Sequence, residues 1–223
     1  MANQDDSFIR EVNDELRSER MRSFWTRFGR ILIAAAVLVV LGTIGKVGYD
    51  YWRDSEASAA GDQFLAALTL AKENKKDEAL AAFAELEKSG FGSYPVLARM
   101  RAASLMGESG DVQGAVNAFS AIAKDGSIPE ALRDASRLRA AYLLVDTGSY
   151  EQVSAEAEQL ATPQNPLRHS AREVLGLSAY KHGDYARAKE WFEAITNDAE
   201  SPRNVANRAQ MLLDLIASSG KLA

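Results

Sequence analysis

A chain of 223 residues is long enough for one ordinary domain plus an appendage and too short for two large catalytic lobes. Apolar residues make up 47% and charged residues 26%, which excludes both a disordered chain and a fully membrane-embedded one. The net charge of −5 argues against nucleic acid as a partner, because neutralising phosphates takes an excess of Lys and Arg. The absence of Cys removes disulfides, thiolate nucleophiles and Cys-ligated metal centres.

Residues 1–30 balance six Arg against six Asp/Glu and form an Arg-rich leader. Ile9, Val12 and Leu16 recur at i, i+3, i+7, the spacing of an amphipathic helical stripe. Such a stripe suits docking to a cytoplasmic partner or to the inner leaflet. The plainer reading, which we prefer, is a short helix that runs into the next segment and fixes its orientation through its arginines.

From Ile31 to Gly45 no charge interrupts the chain, and after Lys46 the apolar run resumes to Tyr49. Residues 31–49 amount to about 28 Å of helix, close to the roughly 30 Å of a bilayer core. Lys46 lies within a turn of the end, where its stem reaches the headgroups. Phe24, Trp25 and Phe28 precede the run and Tyr49, Tyr51 and Trp52 follow it, an interfacial aromatic belt at both borders. A transmembrane helix is expected here. Arg17, Arg20, Arg22, Arg27 and Arg30 stand before it and only Arg53 at comparable distance after Lys46, so the N-terminus is expected in the cytoplasm. A cleaved signal peptide is the competing reading, through Ala57-Ser58-Ala59. That site lies well past the apolar run, behind a long charged leader, and an uncleaved anchor is preferred. Gly42, Gly45 and Gly48 add a small-residue ridge of the kind partner helices use.

Residues 50–62 extend this helix, and 63–223 read as a helical repeat domain. The clearest unit is Leu175-Gly176-x3-Tyr180-Lys181-His182-Gly183-Asp184-Tyr185-x2-Ala188-x3-Phe192, which resembles the tetratricopeptide repeat. Small residues stand where two helices cross closely, a Gly-Asp-Tyr turn joins them, and an aromatic fills the gap to the next unit. Ala103, Gly110-Asp111, Ala115 and Phe119 form a second copy. Ala141, Gly148-Ser149-Tyr150, Val153 and Ala157 form a weaker one, and Ala67, Asn74-Lys75-Lys76, Ala79 and Phe83 the first. The small position before each aromatic slot falls at 79, 115, 153 and 188, spacings of 36, 38 and 35. Pro95, Pro129, Pro166 and Pro202 each precede an expected helix, with Pro163 in the loop of Pro166. Residues 203–218 read as a terminal helix covering the open end of the stack. The expected fold is all-α: a single N-terminal transmembrane helix, then a tetratricopeptide-like solenoid of about four repeats with a C-terminal capping helix.

Little chemistry is visible. His169 and His182, the only histidines, lack metal-ligand spacing, and a structural or solvated role is expected for both. Glu156 and Glu158 cannot face one another on a helix, and Asp77/Glu78 reads as a solvated face. No GxSxG, P-loop or strand-borne GxGxxG occurs. No catalytic, metal or cofactor-binding residue is assigned, no small-molecule substrate is inferred, and the chain is not expected to be an enzyme. What remains is the inner face of the array, formed by the first helix of each repeat. In this frame it holds Phe64 and Leu68, Met100 and Glu108, Leu138 and Tyr142, and Glu173, Leu177 and Tyr180, with Lys72 and Lys181 at its edges. An apolar, aromatic groove suits an amphipathic helix or a loosely folded apolar segment. The same residues equally suit burial beneath a neighbouring helix, since a register shift of one residue exchanges groove and core.

The Arg-rich leader with Phe24-Trp25-x2-Phe28-Gly29, the single apolar helix, Gly48-Tyr49-x-Tyr51-Trp52 and the Ala-rich first repeat together carry a wider resemblance. So do Phe91-Gly92-x-Tyr94-x2-Leu97-Ala98 and the Gly176…Gly183-Asp184 unit. The chain resembles the membrane-anchored tetratricopeptide-like family of Gram-negative bacteria that includes the ancillary subunit of the Sec translocon. The resemblance implies an inner-membrane protein with a periplasmic repeat domain. Its partners would be translocon subunits, a membrane-bound periplasmic chaperone and exported clients, towards which it would play a chaperone-like role. The alternative is a structural scaffold coordinating envelope or cell-division machinery.

Overall fold

The computed structural model describes residues 2–220, with side chains described from Met21 onward. All regular structure among them is helical. In chain order the helices are α1 (Ala2–Lys72), α2 (Lys76–Ser89), α3 (Tyr94–Glu108), α4 (Val112–Lys124), α5 (Glu130–Thr147), α6 (Tyr150–Ala157), α7 (Arg168–Lys181), α8 (Tyr185–Thr196) and α9 (Arg203–Ser218). A single 3₁₀ turn, Glu158–Leu160, follows α6. The chain divides into two compact units, one ending at Glu56 and the other beginning at Ala57.

The first unit is part of α1. Every residue from Ile31 to Tyr49 is exposed within it, and the stretch is long and apolar enough to cross a membrane. The aromatics at its borders pair with one another: the rings of Phe24 and Phe28 lie 5.1 Å apart, and those of Tyr49 and Trp52 lie 6.0 Å apart. Thr43, mid-run, returns its hydroxyl to the Val39 carbonyl at 2.8 Å, so it adds no unsatisfied donor to the apolar surface. Gly42, Gly45 and Gly48 have open space where a Cβ would stand.

The second unit is a stack of helix pairs. The end of α1 pairs with α2, α3 with α4, α5 with α6 and α7 with α8, and α9 follows. Ala60, within the segment expected as a mere extension, already belongs to the first core with Ala67, Ala79, Phe83 and Leu86. The crossing positions Ala67, Ala103 and Ala141, the small positions Ala79, Ala115, Val153 and Ala188, and the gap fillers Phe83, Phe119, Ala157 and Phe192 are all at most 2% exposed. At the fourth crossing the chain has Gly176, and an added Cβ there would stand 2.6 Å from the Phe192 ring. Close approach of the two helices is why a small residue recurs at that position.

The turns follow from the same pattern. Gly110 (φ 95°) and Gly183 (φ 82°) adopt the left-handed conformation that closes a helix, and the Asp after each then caps the next one. Asp111 accepts from the Gly114 amide at 2.9 Å and Asp184 from the Arg187 amide at 3.0 Å. In the first repeat Asn74 takes the left-handed role, with φ 61°. The weak third copy turns by a different device. Gly148 is extended, and Ser149 with Gln152 forms a reciprocal capping box. Its second helix ends early at Ala157, and Leu160 in the 3₁₀ turn is fully buried where the other repeats use an aromatic. The third and fourth repeats are joined by Trp191, whose indole donates to the Tyr150 hydroxyl at 3.0 Å, and by Arg187 stacked 4.5 Å over the Tyr150 ring.

Candidate functional site

The inner-face residues divide into two groups. Phe64 stacks between Phe83 and Tyr94, with centroids 5.8 and 5.9 Å away, and Leu68 packs on the same first core. Met100 rests partly buried on the core of the second repeat. Leu177 and Tyr180 rest on that of the fourth, Tyr180 edge-on to Tyr185 at 5.4 Å. These five are half-buried support for the stack.

Leu138, Tyr142 and Glu108 instead meet at an open cleft of about 740 Å³ between α3 and α5. Phe119, Leu138, Leu143 and Leu167 supply its apolar lining, beside the smaller Ser104, Gly107 and Ala135. Gly107 matters most. A Cβ there would stand 3.4 Å from a Leu143 methyl and 3.5 Å from the Ala115 Cβ, so the space beside the backbone is already filled to contact distance. The volume falls within the roughly 300–1,000 Å³ typical of ligand clefts.

Besides Ser104, three larger polar side chains line the cleft. Tyr142 is 42% exposed, and burial, followed by the nearby Glu173 carboxylate, raises its phenol above the usual tyrosine range. It therefore stays a neutral hydroxyl at physiological pH, and it already interacts with Ser170 and Glu173. Glu108 is exposed and engages Arg101 of its own helix at 3.4 Å. Arg139 is exposed and makes no hydrogen bond or ion pair with any described residue.

Glu173, placed on the groove by its register, is 5% exposed and serves another purpose. Arg208 of α9 grips it with both guanidinium arms, at 2.6 and 2.9 Å, and this pairing raises the Arg208 pKa against the opposing effect of its burial. The pair fastens α9 to α7. Lys181 is likewise engaged, donating to both the backbone and the carboxylate of Asp146 at 2.9 Å. Lys72 stands exposed at the end of α1.

The histidines serve structure. His169 is buried with its Nε2 3.0 Å from the Asp198 carboxylate, which Arg168 and Arg172 also reach, at 3.0 and 3.1 Å. Asp198, in the loop before α9, is held well below the usual carboxylate range, foremost by the Arg168 hydrogen bond. His182 sets its Nδ1 2.8 Å from the Ser178 carbonyl as α7 ends. Among the described residues no group of three His, Asp or Glu side chains is placed to hold a metal ion.

Sequence reasoning missed Ser104, Gly107, Ala135, Arg139, Leu143 and Leu167. The signal was present for four of them: Ser104 and Gly107 continue the Met100 face at i+4 and i+7, and Ala135 and Arg139 flank Leu138 within a turn. Residues 22–218 match a family model described as a tetratricopeptide repeat-like domain. No curated protein matches the chain.

Proposed function

The chain belongs to the tetratricopeptide repeat-like domain family, and on that premise we propose that it is a membrane-anchored protein-binding adaptor. Repeat arrays of this kind act as a rule by holding other proteins rather than by catalysis, and no catalytic step is assigned here. The finer reading is an inner-membrane protein with its N-terminus in the cytoplasm and its repeats in the periplasm. There it serves as an accessory of the translocon and assists exported proteins.

The observation that carries this reading is the wholly exposed apolar run Ile31–Tyr49 in the same chain as an array with an open apolar cleft. Leaving that run in water would forgo about 25 cal/mol for each Å² of apolar surface, and a bilayer removes the penalty. The arginine excess before the run supports the orientation. Mechanism then reduces to placement. A tether at the membrane holds the cleft where emerging segments are concentrated, so encounter becomes effectively intramolecular and modest affinity suffices.

The test is photocrosslinking in intact membranes from a reactive residue at Tyr142. Adducts with translocon subunits or exported clients, increasing when export is jammed, are expected. Adducts with cell-wall synthases that ignore an export block would move the assignment to an envelope scaffold. Recovery of neither refutes the adaptor reading.

A further inference from the structure

The adaptor reading leaves open what kind of segment the cleft accepts, and the charges around it bear on that question. Resting on that reading, we propose that the cleft between α3 and α5 binds a helical segment of a partner protein that presents a bulky apolar side chain with a carboxylate beside it, the carboxylate pairing with Arg139.

Two features of the cleft fit this occupant. The first is shape: a cleft of about 740 Å³ lined by the small Gly107, Ser104 and Ala135 and by the apolar Phe119, Leu138, Leu143 and Leu167 accepts large apolar groups and offers them few polar partners. The second is charge. Glu108, the acidic lining residue, is already engaged by Arg101, whereas Arg139 has no acceptor among the described residues. Arg99 pairs with Asp125, Arg168 and Arg172 with Asp198, and Arg208 with Glu173, whereas Arg133 and Arg203, which like Arg139 lack a side-chain partner among the described residues, are not part of the cleft lining. An unneutralised guanidinium beside an apolar recess favours an anion that arrives attached to an apolar group, because pairing next to a surface that excludes water is stronger than pairing in bulk. The Tyr142 hydroxyl, already engaged by Ser170 and Glu173, lines the same cleft without a free donor, which leaves Arg139 as the group that meets the carboxylate. A helix is preferred over a free small anion because the partly exposed Met100, one turn before Ser104 on α3, extends the apolar lining along that helix, a shape that an apolar helix face fills.

The test uses the full chain in detergent micelles and fluorescent synthetic amphipathic peptides. These are identical except for one position beside a Leu/Phe anchor pair, filled by Glu, Gln or Lys. Wild type is expected to bind the Glu peptide about tenfold more tightly than the Gln peptide, with Lys weakest. In Arg139→Gln the Glu and Gln peptides converge. In Arg139→Glu the order inverts and the Lys peptide binds best, a rescue that a folding defect cannot produce. Gly107→Leu fills the recess and removes binding of all three; Tyr142→Ala, at an exposed edge, weakens them without altering the urea midpoint.

Equal binding of the Glu and Gln peptides to wild type, an unchanged order in Arg139→Glu, or no peptide binding at all overturns the proposal. So does Arg139-dependent uptake of oleate in preference to the peptides, which would make the occupant a lipid. The Tyr142 crosslinks in membranes test the broader reading separately, and they survive if only the charge rule fails.

Discussion

Gly176→Ala sets two well-calibrated effects against each other. Gly176 lies inside α7, where replacing glycine by alanine normally stabilises a helix by about 1 kcal/mol. Here the new methyl would stand 2.6, 2.9 and 3.0 Å from three carbons of the Phe192 ring, against an ordinary carbon–carbon contact of about 3.5–4.0 Å. Phe192 is fully buried among Ala179, Ala188, Ile195, Val205 and Ala209, so the ring can move only by displacing α8 or α9. Overpacking of this kind costs about 1–3 kcal/mol, and after the helical gain a net loss of about 1 kcal/mol is expected. Truncating the ring separates the two terms. In a Phe192→Leu background the alanine has space, and Gly176→Ala should then be neutral or stabilising, giving a coupling of about 2 kcal/mol in the double-mutant cycle. Urea titration of the full chain in detergent, followed by circular dichroism, measures all four corners. A stabilising Gly176→Ala in wild type, or a coupling below about 0.5 kcal/mol, would refute the close α7–α8 crossing on which the repeat frame rests.

Three further substitutions address the turn, the cap and the clasp. Asn74→Ala should lower stability by about 1 kcal/mol, since alanine tolerates φ 61° poorly, while Asn74→Gly should be neutral or better; the urea midpoint decides. Arg208→Ala leaves the buried Glu173 carboxylate without its partner and should cost about 1–3 kcal/mol, of which Glu173→Gln in the same chain recovers part. Hydrogen exchange in α9 should rise in the single variant. Asp198→Asn should lower the thermal midpoint at neutral pH. Because the folded Asp198 titrates below its unfolded value of about 3.9, its contribution is present above about pH 4 and fades as pH falls through the depressed folded value. The gap between wild type and variant should therefore close in acid; a constant gap down to the lowest accessible pH would refute the clasp.

The repeat stack was readable because its rules are local and periodic. Ala79, Ala115, Val153 and Ala188 recur at near-constant spacing, and each is fully buried because each faces a helix crossing. The weak third copy was weak for a physical reason. A capping box at Ser149 does the work of a left-handed glycine, and Leu160 supplies volume that the motif assigns to position 157. Pairings distant in sequence were not readable. Glu173 has the register of a groove residue, and only Arg208, 35 positions later on α9, turns it into a buried anchor. Asp198 gathers three cationic or polar side chains from α7 although it lies in a loop that no periodicity covers. The cleft itself arises from what is missing. Helical spacing puts Ser104 and Gly107 on the Met100 face and Ala135 beside Leu138, but the space these small residues leave emerges only when α3 and α5 are set side by side.

The last helix seals the stack as expected, and its composition gives it a second, exposed apolar face as well. Val205, Ala209 and Ile216 bury the face of α9 that packs on the fourth repeat. Arg208, Met211 and Leu215, at i, i+3 and i+7, share another face, which Arg208 fixes by its grip on Glu173 of α7. Met211 is 63% exposed and Leu215 48%. A helix whose only task was to shield the core would carry polar residues there, as terminal repeats generally do. The stack is therefore closed along one face of α9 and left apolar along another. Together with Tyr142, these residues are among the few large apolar side chains that the repeat unit leaves to solvent. The cap thus closes the fourth core along Val205, Ala209 and Ile216 while it keeps Met211 and Leu215 in solvent.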